Sequence, residues 1–386
     1  MPLKLRLVLW YALAVGSIGS LHPFLALALE RAGASGRASS LLFTLFPLGF
    51  LFAGPIWGWV ADRTGRPTTV LRLSAALCFA SVLAAAATSD WRFLVPSLAA
   101  LALCRAPMIP LVDVLTVKSL GANSDAYGRV RMWGSVAFIG SVWVVGQQVE
   151  ASWRAPLYGN ALLLGGACLL TWFLPELPRP ESPVKPEIGP LVRHPMLRLL
   201  ALVAVLHGLT VSSYDYMFSL HVDRLGLPAS VTSAAFVCGV AAEVVVLAAA
   251  PWLLRVVGAR RLLLIGVASG VPRFAVMATV TDPVVLAGIQ VLHGLGFGAW
   301  WVGVVATLAL EAPPLLRNSA QTLLMSANYG LGPLAALGLA ALLVDGPGTS
   351  TLYGVAAVLS ATAFVLAIYA LSPRRRSPPL TNANGP

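Results

Sequence analysis

Five ionisable side chains stand inside long apolar runs, where water-seeking groups are costly. Glu243 lies among valines and alanines in "VAAEVVVLAAAPWL" (240–253) and is the only glutamate in the central part of any such run. Arg105 and Arg273 sit near the middle of two other runs. His22 and Asp215 sit towards one end of two more. Ionisable groups at that depth as a rule face a wet cavity. Their chemistry is proton carriage and anion recognition. A carboxyl group withdrawn from water is able to hold a proton near neutral pH. Glu243 is therefore the first candidate for a proton carrier, with Asp215 and His293 beside it. The alternative for Glu243 is a neutral, hydrogen-bonded core residue. Arginine stays protonated and needs an anion nearby. For Arg273 that anion is Glu243, Asp215 or a solute carboxylate, and Arg105 suits a carboxylate in the same way.

Two polar faces add to this set. Gln290, His293, Phe297 and Trp300 follow at spacings of three, four and three, which places them on one face of a regular helix. A histidine alone on a helix is more often a satisfied core residue. Here the glutamine and the aromatic neighbours favour a stripe that faces a ligand. Gln321, Met325 and Asn328 form a similar face in the next run. Gln290, His293 and Gln321 suit hydroxyl groups or a sugar. The expected solute contacts are Arg273, Arg105, His22, Gln290, Trp300, Gln321 and Asn328. Enzyme chemistry is not expected. The sequence holds no phosphate loop, nucleophile elbow or metal-ligand spacing, so ATP, cofactor and metal sites are not predicted. Cys78, Cys104, Cys168 and Cys238 all lie inside apolar runs and read as small core residues.

The elements that must position these groups follow from composition. Of 386 residues, 58% are hydrophobic and 11% charged. The apolar residues fall into runs long enough to cross a bilayer core of about 30 Å as helices. We place them at 7–29, 39–60, 68–88, 92–117, 132–150, 155–174, 197–222, 230–254, 261–281, 284–310, 320–344 and 350–371. Short alternating barrel strands are absent. The first run reads as a retained span rather than a cleaved signal. The fold class is therefore an all-α integral membrane protein with twelve spans. The formal charge of +11 does not point to nucleic acid, because the basic residues mark alternate loops. Lys4, Arg6, Arg63, Arg66, Arg72, Arg129, Arg131 and others fall on one side. Arg31, Arg37, Arg92, Arg154 and Arg224 fall on the opposite side. The bias predicts both termini in the cytoplasm.

The loop "PELPRPESPVKPEIGP" (175–190) is proline-rich and charged, as linkers are. It divides the chain into an N-terminal six-helix bundle (1–174), a cytoplasmic linker (175–195), a C-terminal six-helix bundle (196–372) and a basic tail (373–386). Adding 193 to the first six spans lands on or near the last six, so the chain reads as two related halves. His22 and Asp215 become equivalent positions, and Gly65 falls on Gly258. The solute site should lie between the halves near the bilayer midplane.

"GWVADRTGRP" (58–67) puts an acid into an otherwise basic loop. Positive-inside topology explains its arginines and not Asp62. The stretch resembles the signature loop between spans two and three of the major facilitator superfamily. "YGRVRMWGSVAFIG" (127–140), the Ala-Glu pair at Glu243, "QVLHGLGFGAWW" (290–301) and "NSAQTLL" (318–324) resemble its 3-phenylpropionate transporter-like group. That group is related to the lactose permease and nucleoside symporters. The resemblance implies two pseudo-symmetric bundles and a cytoplasmic gate of Gly58, Asp62, Arg63, Gly65, Arg66 and Asp113. Asp62 would face a helix N-terminus of the second half, and Asp113 would partner Arg63 or Arg66. In the second copy Arg255 replaces the aspartate. The expected function is proton-coupled symport of a small organic solute in a bacterial inner membrane, with an aromatic carboxylate as the leading class. Sugar or nucleoside symport, proton-antiport export of amphipathic compounds, and a non-transporting receptor or scaffold are the alternatives. The expected partners are the solute, protons and lipid, with no obligate protein partner.

Overall fold

The computed structural model describes residues 1–88, 90–120, 124–176, 194–312 and 317–372. Most of the predicted linker and the whole predicted tail lie outside the described residues.

Twelve helical segments, with a short helix at Ala250–Val256 continuing from the eighth, make up the described helices. They are α1 Leu3–Arg31, α2 Gly36–Thr64, α3 Pro67–Ala87, α4 Trp91–Ser119, α5 Ser124–Gly146, α6 Ala155–Thr171, α7 Pro195–Arg224, α8 Ala229–Ala248, α9 Ala259–Thr279, α10 Pro283–Glu311, α11 Ser319–Leu343 and α12 Thr349–Ala370. Among the described residues, ten are long and apolar enough to cross a membrane. The other two are α5, with 23 residues, and α6, with 17. Each predicted run overlaps one helix. The largest displacement is α5, predicted at 132–150. Its helix begins earlier because Arg129 and Arg131 are helical residues and not loop residues, and it ends at Gly146 ahead of a turn.

Several helices are not regular. α1 passes through one 3-10 turn at His22–Phe24, where Pro23 has no N–H to donate. α2, α10 and α11 each contain a five-residue π turn, at Gly49–Ala53, Leu295–Ala299 and Ala327–Leu331. A π turn inserts a residue and rotates everything beyond it. Close packing relies on small residues, as it does between membrane helices generally. A Cβ on Gly208 would stand 2.1 Å from the Asn328 carbonyl oxygen, so α7 and α11 touch backbone to backbone there.

The two halves meet mainly on the side opposite the termini, here called the far side. An apolar cluster joins Phe24, Leu27, Val142, Val145 and Val149 to Tyr214, Phe218, Val222, Val231 and Phe236. Polar contacts surround it. Arg31 pairs with Asp223 at 3.1 Å and donates to the Val149 carbonyl at 2.8 Å. Arg224 pairs with Glu30 at 2.8 Å and Asp345 at 3.0 Å, and also donates to the Val344 carbonyl. Asp345 accepts from the backbone N–H groups of Gly36 and Arg37 at 3.1 and 2.8 Å. Those N–H groups open α2 and have no partner within the helix. Glu150 does the same for α8, accepting from the Ala229 N–H at 2.7 Å. On the termini side the ion pairs Arg72–Glu176 and Arg260–Glu311 each stay within one half.

Partial burial pushes the Asp345 carboxyl up. The Arg37 amide, the Arg224 guanidinium and the Gly36 amide outweigh that and hold it below its ordinary value. A depressed carboxyl stabilises the closed side above its ordinary titration range and loses that effect as pH falls through the depressed value. Asp345→Asn should therefore open the far side at neutral pH. Acidification of the wild type below about pH 4 should do the same. Spin labels on Arg37→Cys and Gly346→Cys would report a longer distance in both cases. An unchanged distance would show that Asp345 takes no part in the closure.

Candidate functional site

Below the closed far side lies a cavity of about 270 Å³ between the halves. α1 contributes Val15, Ile18, His22 and Pro23, and α5 contributes Arg131, Ser135 and Phe138. From the second half come Asp215 and Tyr216 of α7, Phe236, Val240 and Glu243 of α8, and His293 and Phe297 of α10. Steps of three and four along α1, α5 and α8 explain the grouping, since such residues share a helix face. The helical rise sorts the polar groups into two tiers. His22 and Asp215 each stand nine residues from the far-side end of their helices. Arg131 and Glu243 stand roughly 8 Å nearer the termini side.

Few of these polar groups satisfy one another. Glu243 Oε2 is 4.0 Å from His293 Nε2, beyond hydrogen-bond range. His293 Nδ1 is buried without a partner. His22 packs edge-on against Phe46, with ring centroids 4.7 Å apart, and its centroid is 6.0 Å from that of Tyr216. Its Nε2 is also buried without a partner. Among the described residues Asp215 makes no ion pair or hydrogen bond. The Arg131 guanidinium lies 5.3 Å over the Tyr11 ring and forms no ion pair with a carboxylate among the described residues. A cavity so lined presents acceptors, imidazoles and one cation, with Phe138, Phe236, Phe297 and Tyr216 for apolar or aromatic contact.

The model of the family described as "MFS_1 like family" matches residues 4–353. The chain belongs to the MFS_1-like family. It is 27% identical to the maltose permease of Geobacillus stearothermophilus over 336 residues, which cover 84% of this chain and 83% of that protein. It is 32% identical to the probable 3-phenylpropionic acid transporter of Escherichia coli K12 over 248 residues, 61% of this chain and 64% of that one. In fold it matches the crystal structure of the nucleoside transporter NupG with a TM-score of 0.79. That match has 18% identity and covers 96% of this chain and 98% of the other. This MFS_1-like protein is a multi-pass membrane transporter of the major facilitator fold.

The transporter scatters the predicted site residues over several places. Glu243, Asp215, His22 and His293 share the cavity. Arg105 does not line it. Its Nη2 donates to the Ala14 carbonyl at 2.9 Å and to Ser17 Oγ at 2.6 Å, so the cation ties α4 to α1. Arg273 is fully buried behind the cavity wall, where its Nε donates to Gln290 Oε1 at 2.8 Å and its guanidinium sits 4.2 Å over the Tyr214 ring. Its direct contacts are thus an amide and a ring face; of the expected anions Asp215 acts on it through charge, and Glu243 does not pair with it. Gln290 is consumed by that contact and by the Leu286 carbonyl. The expected stripe on α10 fails for a local reason. A turn at Ile289–Gln290 and the π turn at Leu295–Ala299 break the regular period, leaving only His293 and Phe297 on the cavity. Trp300 instead stacks near His207, 4.4 Å between centroids. It shares a small crevice between α10 and α11 with Gln321 and Asn328.

The gate expected when the termini side is closed is not formed here, where the termini-side ion pairs each stay within one half. Asp113 does not meet Arg63 or Arg66. It accepts a 2.5 Å hydrogen bond from Tyr11 Oη, because its side of α4 faces α1 and α5. Asp62, Arg63 and Arg66 are exposed, with Arg63 5.4 Å from the Trp59 ring centroid. Gly65 ends α2 in the left-handed region at φ 62°, a conformation glycine adopts freely. Nothing approaches a Cβ built on Gly58. The reading of the sequence missed Arg131, which it placed in a termini-side loop. The signal was present in its spacing to Ser135 and Phe138, four and seven residues on.

Gln290 now has a structural assignment that can be checked. Gln290→Leu removes a partner of a buried guanidinium and should destabilise the protein by about 1–3 kcal/mol. Thermal unfolding in detergent reads this as a lower Tm. An unchanged Tm would mean that Arg273 finds another acceptor.

Proposed function

We propose that the protein is a proton-coupled symporter of a small aromatic carboxylate, working by alternating access. The observation that carries this reading is the makeup of the interhalf cavity. Its termini-side tier sets one cation, Arg131, against one carboxyl, Glu243, and aromatic rings supply much of the remaining wall. Guanidinium and carboxylate make strong paired hydrogen bonds, and phenylalanine faces suit an aryl ring. An ionised Glu243 repels an anion in the same cavity, and protonation removes that repulsion. Proton and anion therefore favour each other's binding, which is the linkage a symporter needs. The probable 3-phenylpropionic acid transporter among the relatives agrees in solute class.

The basic bias of the loops puts the termini in the cytoplasm of a bacterial inner membrane. The far-side closure then makes this an inward-open form. In the opposite form the loop at 58–67 closes the cytoplasmic side, with Asp62 placed on a helix N-terminus of the second half, where the dipole favours an anion. A second reading rests on the two carboxyls in one cavity, Asp215 and Glu243. Together they suit an amphipathic cation exported against protons. The maltose permease among the relatives keeps a sugar among the solutes to be tested.

Proteoliposomes with an imposed pH gradient test the proposal. Labelled 3-phenylpropionate should accumulate, and maltose and amphipathic cations should not. Glu243→Gln mimics the protonated acid, so it should bind and exchange solute yet fail to concentrate it. Accumulation by that variant would move the proton to Asp215 or His293. Arg131→Gln should weaken carboxylate binding at least about tenfold, and equal affinities would remove Arg131 from the site. Asp62→Asn should insert normally and transport slowly. Wild-type rates in that variant would end its gate assignment.

A further inference from the structure

The closed end of the cavity holds an imidazole nitrogen and a carboxyl that make no hydrogen bond among the described residues, although the buried Arg273 acts on Asp215 through its charge. His22 comes from α1 and Asp215 from the repeat-equivalent position of α7, so one group is supplied by each half. His22 Nε2 is buried without a hydrogen-bond partner, and Asp215 has none among the described residues. Buried polar atoms in native proteins nearly always have partners, and an unmet one is costly. The rings of Phe46 and Tyr216 flank His22, which sits on the 3-10 turn that Pro23 imposes. This end of the cavity is thus aromatic on its sides and polar at its tip. Arg131 stands roughly 8 Å away along the helical rise. An aryl ring with a short acid chain spans about that distance.

We propose that His22 and Asp215 form a hydroxyl-reading subsite, and that the preferred solute is an aryl carboxylate with a hydroxyl opposite its acid chain. The inference rests on the aryl-carboxylate reading above. A hydroxyl donates one hydrogen bond and accepts others. A hydroxyl lodged between the two groups would donate to Asp215 and accept from His22 in the tautomer that carries its proton there. Sites that hydrogen-bond a substrate hydroxyl discriminate strongly against the analogue without it, because their own polar groups are left unpaired.

The test compares dissociation constants of 3-phenylpropionate, its 4-hydroxy and 2-hydroxy derivatives, and maltose on the purified full chain. The wild type should bind the 4-hydroxy acid at least about tenfold more tightly than 3-phenylpropionate, and the 2-hydroxy isomer should gain nothing. In His22→Phe the ratio of the first two constants should fall to about one. The ratio is taken within each protein, so a general loss of affinity cancels. A wild-type ratio near one overturns the subsite and leaves the aryl-carboxylate reading standing. A high ratio that survives His22→Phe also overturns it. If neither aryl acid binds, the aryl-carboxylate reading itself fails. The isomer comparison needs no variant, so it holds even if His22→Phe does not fold.

Discussion

Two helix N-termini on the far side are each capped by a carboxylate from the opposite half, and the rest of the arrangement follows from that exchange. α2 begins at Gly36 and α8 at Ala229, positions 193 residues apart and equivalent in the repeat. Asp345 serves the first and Glu150 the second. A helix start leaves N–H groups without internal partners, and losing a cap typically costs about 1 kcal/mol. Separation of the halves on this side would uncap both helices and also free Arg224 from Glu30. Among the described residues these caps join the halves on the far side of the cavity.

Inside the helices, Arg105 and Arg273 act as struts. Arg105 reaches the Ala14 carbonyl, and Arg273 rests on the Gln290 amide and the Tyr214 ring. Each spans neighbouring elements and satisfies polar atoms that lipid could not. Their removal from the solute inventory leaves Arg131 as the cation that lines the cavity. The cavity wall carries one guanidinium, two carboxyls and two imidazoles, and the buried Arg105 and Arg273 act on them from behind it.

The spans and the duplication were legible because length and apolarity are strong signals. The acid at Glu243 and the pair His22–Asp215 were legible for a related reason, since a charged residue in an apolar run needs water or a partner nearby. The misplacements have distinct causes. The α10 stripe assumed a constant period, and a π turn with no clear sequence signature rotated Trp300 away from His293. Arg131 lay near the edge of a run, where an arginine reads as a topology marker until the helix boundary is known. Asp113 needed the rotation of α4, which apolarity on all sides does not reveal. The reciprocal caps were invisible because each joins residues far apart in sequence through backbone atoms.

The far-side ion pairs are part-exposed, with side-chain accessibilities of 27–38% for Arg31, Asp223, Arg224, Glu30 and Asp345. Charges in that setting are screened over about 8–10 Å at ordinary ionic strength, and over less in brine. The apolar cluster beneath them is not held by charge, and many salts strengthen such burial. Salinity on that face therefore acts in opposite senses on the two components of the closure. The ion pairs are thus the part of the closure most open to screening, while the caps and the apolar cluster hold by other means.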